Sequence, residues 1–250
     1  MALYCRMFPY KDDNPTLATP VVTFLLIGLN IAAWVFLQGL GTEPQLSASV
    51  CELGLIPGAV LGNLAPGTPV PGAGAIGCET VAANWLTVLT SMFLHGGWLH
   101  LLGNLWFLWV FGNNVEDSMG KLRFLLFYVA TGVAAAAAQA AVNPSSAIPM
   151  VGASGAISGV MGAYIILSPK VRVHMVVFLG IFVTRIAVPA VAMLGYWFLL
   201  QLVGGIPTLQ AESGGVAFWA HAGGFVAGMV FVLLFRNPDL IAARVAHRMP

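Results

Sequence analysis

Long apolar runs, each closed by polar or helix-breaking residues, set the pattern of this chain. Residues 20–40 form an uncharged run of 21, long enough to cross a bilayer. Residues 98–115, closed by Glu116 and Asp117, predict a second span, and residues 122–142 a third. Residues 149–167 predict a fourth, stopped by Ser168-Pro169-Lys170. Residues 187–203 and 216–235 predict a fifth and a sixth. The segment 41–87 is too rich in Gly and Pro to span, and its sequel 85–98 reads as an interfacial or re-entrant piece with tryptophans at the membrane surface. Residues 171–186 are apolar, but Arg172, His174 and Arg185 leave too short a clean run, so they read as a loop or interfacial piece.

Composition agrees with the pattern. The chain of 250 residues is 59% hydrophobic and only 8% charged, with a mean hydropathy of +0.89. A soluble domain carries roughly a quarter charged residues, so this reads as an all-α polytopic membrane protein with the lipid bilayer as its solvent. A net charge of +1 with no basic patch argues against a nucleic-acid partner. No internal repeat supports a transporter built from matched halves. The predicted layout is an N-terminal segment 1–19, a six-helix domain 20–235 with a long loop 41–97, and a polar tail 236–250.

Charge then orients the spans. With the N-terminus inside, the inner segments hold Arg6, Lys11, Lys121, Arg123, Lys170, Arg172, Arg185, Arg236, Arg244 and Arg248, which are all 10 Lys and Arg residues. The outer segments hold none, only Glu43, Glu52, Glu79 and Glu212. This follows the positive-inside rule, with both termini cytoplasmic, and a seventh span at residue 171 would break it. Cys5 falls inside. Cys51 and Cys78 fall together outside, where either a disulfide or two free, buried thiols fits the sequence.

The polar groups inside the spans carry the candidate chemistry, because polar side chains at membrane depth mark functional sites. They are His100 and Asn104 in the second span, Ser154 and Ser158 in the fourth and His221 in the sixth. Counted from the outer surface, Ser154 and His221 each lie about five residues in, or ~8 Å at 1.5 Å per residue. His100 and Asn104 share a helix face at a similar level. Gly152, Gly155, Gly159 and Gly162 line the fourth span, and Ala220, Gly224, Ala227 and Gly228 the sixth, so a small-residue seam should let these helices meet. Such contact would join a hydroxyl to the imidazole that activates it.

With these residues in view, the chain resembles the rhomboid family of intramembrane serine proteases. Gly152-Ala153-Ser154-Gly155 is similar to the family's nucleophile motif. The stretch Ala220-His221-Ala222-Gly223-Gly224 with Gly228 resembles its histidine helix, and residues 95–104, from His95-Gly96-Gly97 to the His100/Asn104 pair, its second segment. The resemblance implies Ser154 as nucleophile, His221 as general base without a carboxylate, and an oxyanion hole from His100, Asn104 and the Ser154 N–H. It implies transmembrane proteins as substrates and cleavage near the outer face. No cofactor is expected, no Cys, Asp or Glu stands at that depth to complete a metal site, and the short loops favour a bacterial inner membrane. Two departures stand out. Trp85-Leu86-Thr87 lacks an arginine the family often carries there. Ser158 stands where some members place a tyrosine against the histidine, a contact that Phe93, Trp98 or Trp219 would have to supply.

Blander readings remain for several positions. His95 reads as a structural loop or rim residue and Ser158 as packing. Glu116 and Asp117 read as a solvated cap or an ion pair with Lys121 or Arg123. The rival functions are a catalytically inactive rhomboid-like chaperone or scaffold, and a channel lined by His100, Asn104 and His221.

Overall fold

Each of the six runs read as spans forms a helix, though not always over the predicted bounds. In a computed structural model describing residues 7–71, 77–179, 182–209 and 216–248, α1 is Val21–Ala32, extended by a wider turn over Ala33–Leu37. A loop helix α2, Gln45–Leu53, follows. The others are α3, Trp98–Met119; α4, Lys121–Val142; α5, Ser154–Leu167; α6, Ala190–Gly205; and α7, Phe218–Phe235. Among the described residues three helical stretches, Lys121–Val142, Ala190–Leu209 and Phe218–Phe235, are long and apolar enough to cross a membrane; Val21–Leu37 and Ser154–Leu167 are apolar but shorter. Cys5, Arg6 and Glu212, which the charge pattern assigned to sides, lie outside the described residues.

The α5–α7 seam explains the glycine spacing. A Cβ on Gly224 would lie 2.1 Å from the Gly155 carbonyl oxygen, one on Gly228 2.0 Å from that of Gly159, and one on Gly162 2.0 Å from that of Phe225. Only hydrogen fits where two backbones approach this closely. Leu108, Phe111, Phe124, Phe127 and Val160 are fully buried and belong to the core of the bundle.

Two expectations need correction at the end of the bundle remote from Ser154. Residues 171–186 are not a loop. Arg172–Leu179 (β2) and Phe182–Pro189 (β3) pair antiparallel, and Met7–Asp12 (β1) adds to β2 with a register shift between Pro9 and Lys11. Val173, Met175 and Val177 alternate inward, the period of two expected of a half-buried strand. The polar tail from Arg236 carries a helix, α8, over Pro238–Arg248. Its Arg244 is buried, donating to the Asn114 carbonyl and to the side chains of Asn14 (2.9 Å) and Ser118 (3.2 Å).

Glu116 and Asp117 likewise are neither solvated nor paired with Lys121 or Arg123. Glu116, 3% exposed, accepts the backbone N–H of Val22 (3.0 Å), that of Thr23 (2.8 Å) and the Thr23 hydroxyl (2.8 Å). A carboxylate there satisfies orphan donors and complements the positive end of α1. Asp117 accepts from the N–H groups of Leu17 and Ala18 and lies 3.8 Å from Arg244. Arg123 instead donates to the Arg236 carbonyl.

The long loop is tied to the bundle. Cys51 of α2 and Cys78 are joined in a disulfide with their Cα atoms 6.0 Å apart. Leu55 and Met150 exchange backbone hydrogen bonds of 3.0 and 2.7 Å, and the Gly152 N–H donates to the Ser91 carbonyl at 2.9 Å. These bonds hold residues 149–153 out of the helix, so α5 begins at Ser154. The predicted ~8 Å of helix before the serine does not exist.

Candidate active site

Ser154 is the first residue of α5, where the first-turn N–H groups have no intrahelical acceptor. Gly152 prepares this position. Its φ of +128° suits glycine, and a Cβ on it would lie 2.8 Å from the His100 ring. His221 lies in the first turn of α7, whose Ala220 N–H is capped by the Gln139 side-chain carbonyl of α4 at 3.2 Å. Across the glycine seam, His221 Nε2 stands 2.7 Å from Ser154 Oγ. The serine and histidine predicted to meet do meet. Ser158, one turn on, is fully buried and donates to the Ser154 carbonyl at 2.6 Å, which is the packing role expected of it.

His100 and Asn104 face the same space from α3. The Gly96 N–H donates to His100 Nδ1 at 3.3 Å, so in the neutral ring the proton sits on Nε2, the nitrogen beside Gly152. The Asn104 Nδ2 group is buried and has no partner among the described residues. Ser154, His221, His100 and Asn104 line one cavity of about 760 Å³ whose floor includes Phe107 and Met161.

Of the two places expected for His95, loop or rim, the structure gives the loop, where the residue is buried. Gln38, past the end of α1, clamps its backbone from both sides, donating to its carbonyl and accepting its N–H, each at 2.8 Å. Its ring meets that of His100 edge-on, centroids 5.1 Å apart. Burial, with the His100 ring second, pushes His95 down to about 3, so it stays neutral at physiological pH.

The support for the His221 ring comes from a helix the sequence reading passed over. Trp197 of α6 lies against it, centroids 5.9 Å apart at 35°, where Phe93, Trp98 or Trp219 had been the candidates. One turn on, Gln201 Oε1 lies 2.9 Å from His221 Nδ1. A buried amide one turn from a tryptophan on an otherwise apolar helix was the available signal.

The family model for the rhomboid domain matches residues 82–238, well over half of the chain. The chain belongs to the rhomboid family. All four candidate site residues fall inside the match, while α1 and most of the long loop fall outside it. Among curated rhomboids, rhomboid-like protein 11, chloroplastic, of Arabidopsis thaliana is 34% identical over 154 residues, which cover 60% of this chain and 52% of that protein. Rhomboid protease GluP of Bacillus subtilis (strain 168) is 34% identical over 146 residues, covering 58% of this chain and 25% of that protein. Rhomboid-like protease 5 of Toxoplasma gondii is 33% identical over 154 residues, covering 58% and 15%. The chain therefore spans about half or less of the length of these relatives. Family membership and the apolar helices make it a membrane protein.

Proposed function

We propose that this rhomboid is an intramembrane serine endopeptidase that cleaves transmembrane-helix-containing proteins near the outer face of the bilayer. The carrying observation is the 2.7 Å contact between Ser154 Oγ and His221 Nε2 on a cavity that also presents two polar side chains from α3. Six spans with both termini cytoplasmic fit the charge asymmetry and put the disulfide-bearing loop on the oxidising side of a bacterial inner membrane. The site then lies at the outer end of α5 and α7, where hydrolytic water enters without crossing lipid.

In this mechanism Ser154 Oγ attacks the scissile carbonyl carbon while His221 Nε2 takes its proton. The tetrahedral oxyanion is held by three donors: His100 Nε2–H, Asn104 Nδ2–H and the Ser154 N–H at the positive end of α5. The orphaned Asn104 amide supports this role, because a buried donor left unpaired in the resting protein gains a partner only as the charge develops. Collapse breaks the C–N bond, and the imidazolium returns its proton to the leaving amine. His221 then activates a water that hydrolyses the acyl-serine.

The test is cleavage of a model single-span substrate by purified protein in detergent. Wild type should cut it, and Ser154→Ala and His221→Ala should each abolish cutting with an unchanged melting temperature. Cleavage that persists in Ser154→Ala ends the protease reading, and a folded wild type that cleaves nothing favours the inactive scaffold.

A further inference from the structure

His221 uses only one ring nitrogen in the chemistry above, and the other is not idle. Nδ1 lies 2.9 Å from Gln201 Oε1, on a residue 4% exposed in an apolar helix. The orientation of the amide follows from its other end, where Nε2 faces the Trp197 carbonyl at 3.5 Å. Turning the amide over would set its oxygen against that carbonyl, acceptor against acceptor, and point an NH₂ at the imidazole. With the oxygen toward the ring, Nδ1 must be the donor and carry the proton. Nε2 is then the bare nitrogen, and it is the one 2.7 Å from Ser154 Oγ.

We propose that Gln201 is a positioning residue for His221: its side-chain carbonyl accepts the Nδ1–H, holding the ring in the tautomer whose Nε2 can take the serine proton. The inference rests on the proposed Ser154–His221 chemistry and adds a third member to it. When His221 takes the proton, the resulting imidazolium keeps its Nδ1–H on the neutral amide oxygen, a bond that strengthens as charge develops on the donor. An amide cannot accept the proton outright, so a single proton moves, from Oγ to Nε2 and on to the leaving amine. Trp197, one turn before Gln201, covers a face of the same ring, so α6 fixes both the tilt and the tautomer of a base that stands on α7.

The closing experiment compares Gln201→Met, which keeps the volume but removes the acceptor, with Gln201→Glu, which keeps an acceptor oxygen. Gln201→Met should lower kcat roughly 10–100-fold, as expected for losing a hydrogen bond to a group that becomes charged in the transition state. KM should stay within about twofold, because the lost contact is not with substrate. Gln201→Glu should retain activity within about fivefold of wild type on the same scale of effects. A Gln201→Met enzyme with wild-type kcat, or a Gln201→Glu enzyme equally impaired, overturns the proposal. A second readout needs no substrate. Nitrogen-15 spectra of histidine-labelled wild type should show His221 protonated at Nδ1 alone, and a ring protonated at Nε2 refutes the assignment even if Gln201→Met fails to fold. Should wild type cleave nothing, the protease reading falls while those spectra still decide the Gln201 contact.

Discussion

Replacing Gly228 by alanine tests whether the glycine seam sets the distance between Ser154 and His221. The added methyl would lie 2.0 Å from the Gly159 carbonyl oxygen and 2.6 Å from its carbonyl carbon and Cα. All three atoms are backbone, so no side chain can move aside, and reaching ordinary contact at 3.4 Å requires α5 and α7 to part by about 1.4 Å. Gly159 is five residues from Ser154 and Gly228 seven from His221, about 8 and 11 Å along their helices at 1.5 Å per residue. Helices stiff over that length carry the separation to the dyad, stretching the 2.7 Å contact beyond hydrogen-bond range. A misplacement of about 1 Å can lower the rate by roughly 100-fold, and overpacking of this kind destabilises by about 1–3 kcal/mol. Gly28→Ala is the control, since a Cβ there meets nothing within 4 Å. Substrate cleavage and thermal unfolding should be measured for both variants. Gly228→Ala with wild-type kcat/KM and melting temperature would refute the claim that this seam positions the dyad.

Further expectations follow from the same contacts. Gly152→Ala strains a φ of +128° and drives a methyl into the His100 ring, so kcat should fall about 100-fold, the loss of one oxyanion donor; an unimpaired variant would detach His100 from that role. Glu116→Ala strands three donors at the start of α1 and should destabilise by about 2–4 kcal/mol in detergent unfolding; an unchanged midpoint would contradict the capping account. Asp12, beneath the bundle, is pushed above its usual 3.8 mainly by burial, against the opposing Tyr164 hydrogen bond. Its contribution to stability is therefore full below the unfolded value and lost as pH rises through the higher folded one. Asp12→Asn should gain stability over wild type at pH 8 and lose that advantage at pH 4, and a difference independent of pH would count against it.

The parts of this molecule visible in its sequence are those set by local pattern. Apolar run length located the helices, and the small residues of α5 and α7 foretold a seam that the Gly155–Gly224 and Gly159–Gly228 approaches bear out. What escaped depends on partners far along the chain. Arg244 looks like one more cation in a polar tail until Asn14 and Asn114 bind it from 230 and 130 positions away. The start of α5 moved because Leu55 and Ser91 hold the preceding residues extended. β2 carried its alternation openly at Val173, Met175 and Val177, but Arg172 and His174 on the opposite face read as breaks in a span. β3 is exposed along nearly its whole length, so no two-residue period marks it. Gln201 and Trp197 stand on α6, outside the three helices that bear the motif residues, so no motif marks them.

The central claim is that His221 activates Ser154 as a nucleophile. Its most direct test is labelling of the folded protein with a fluorophosphonate, with the adduct located by mass spectrometry. The account predicts one adduct, on Ser154, formed at a rate that collapses in His221→Ala. An adduct on another residue, no adduct on folded wild type, or undiminished labelling in His221→Ala would contradict it.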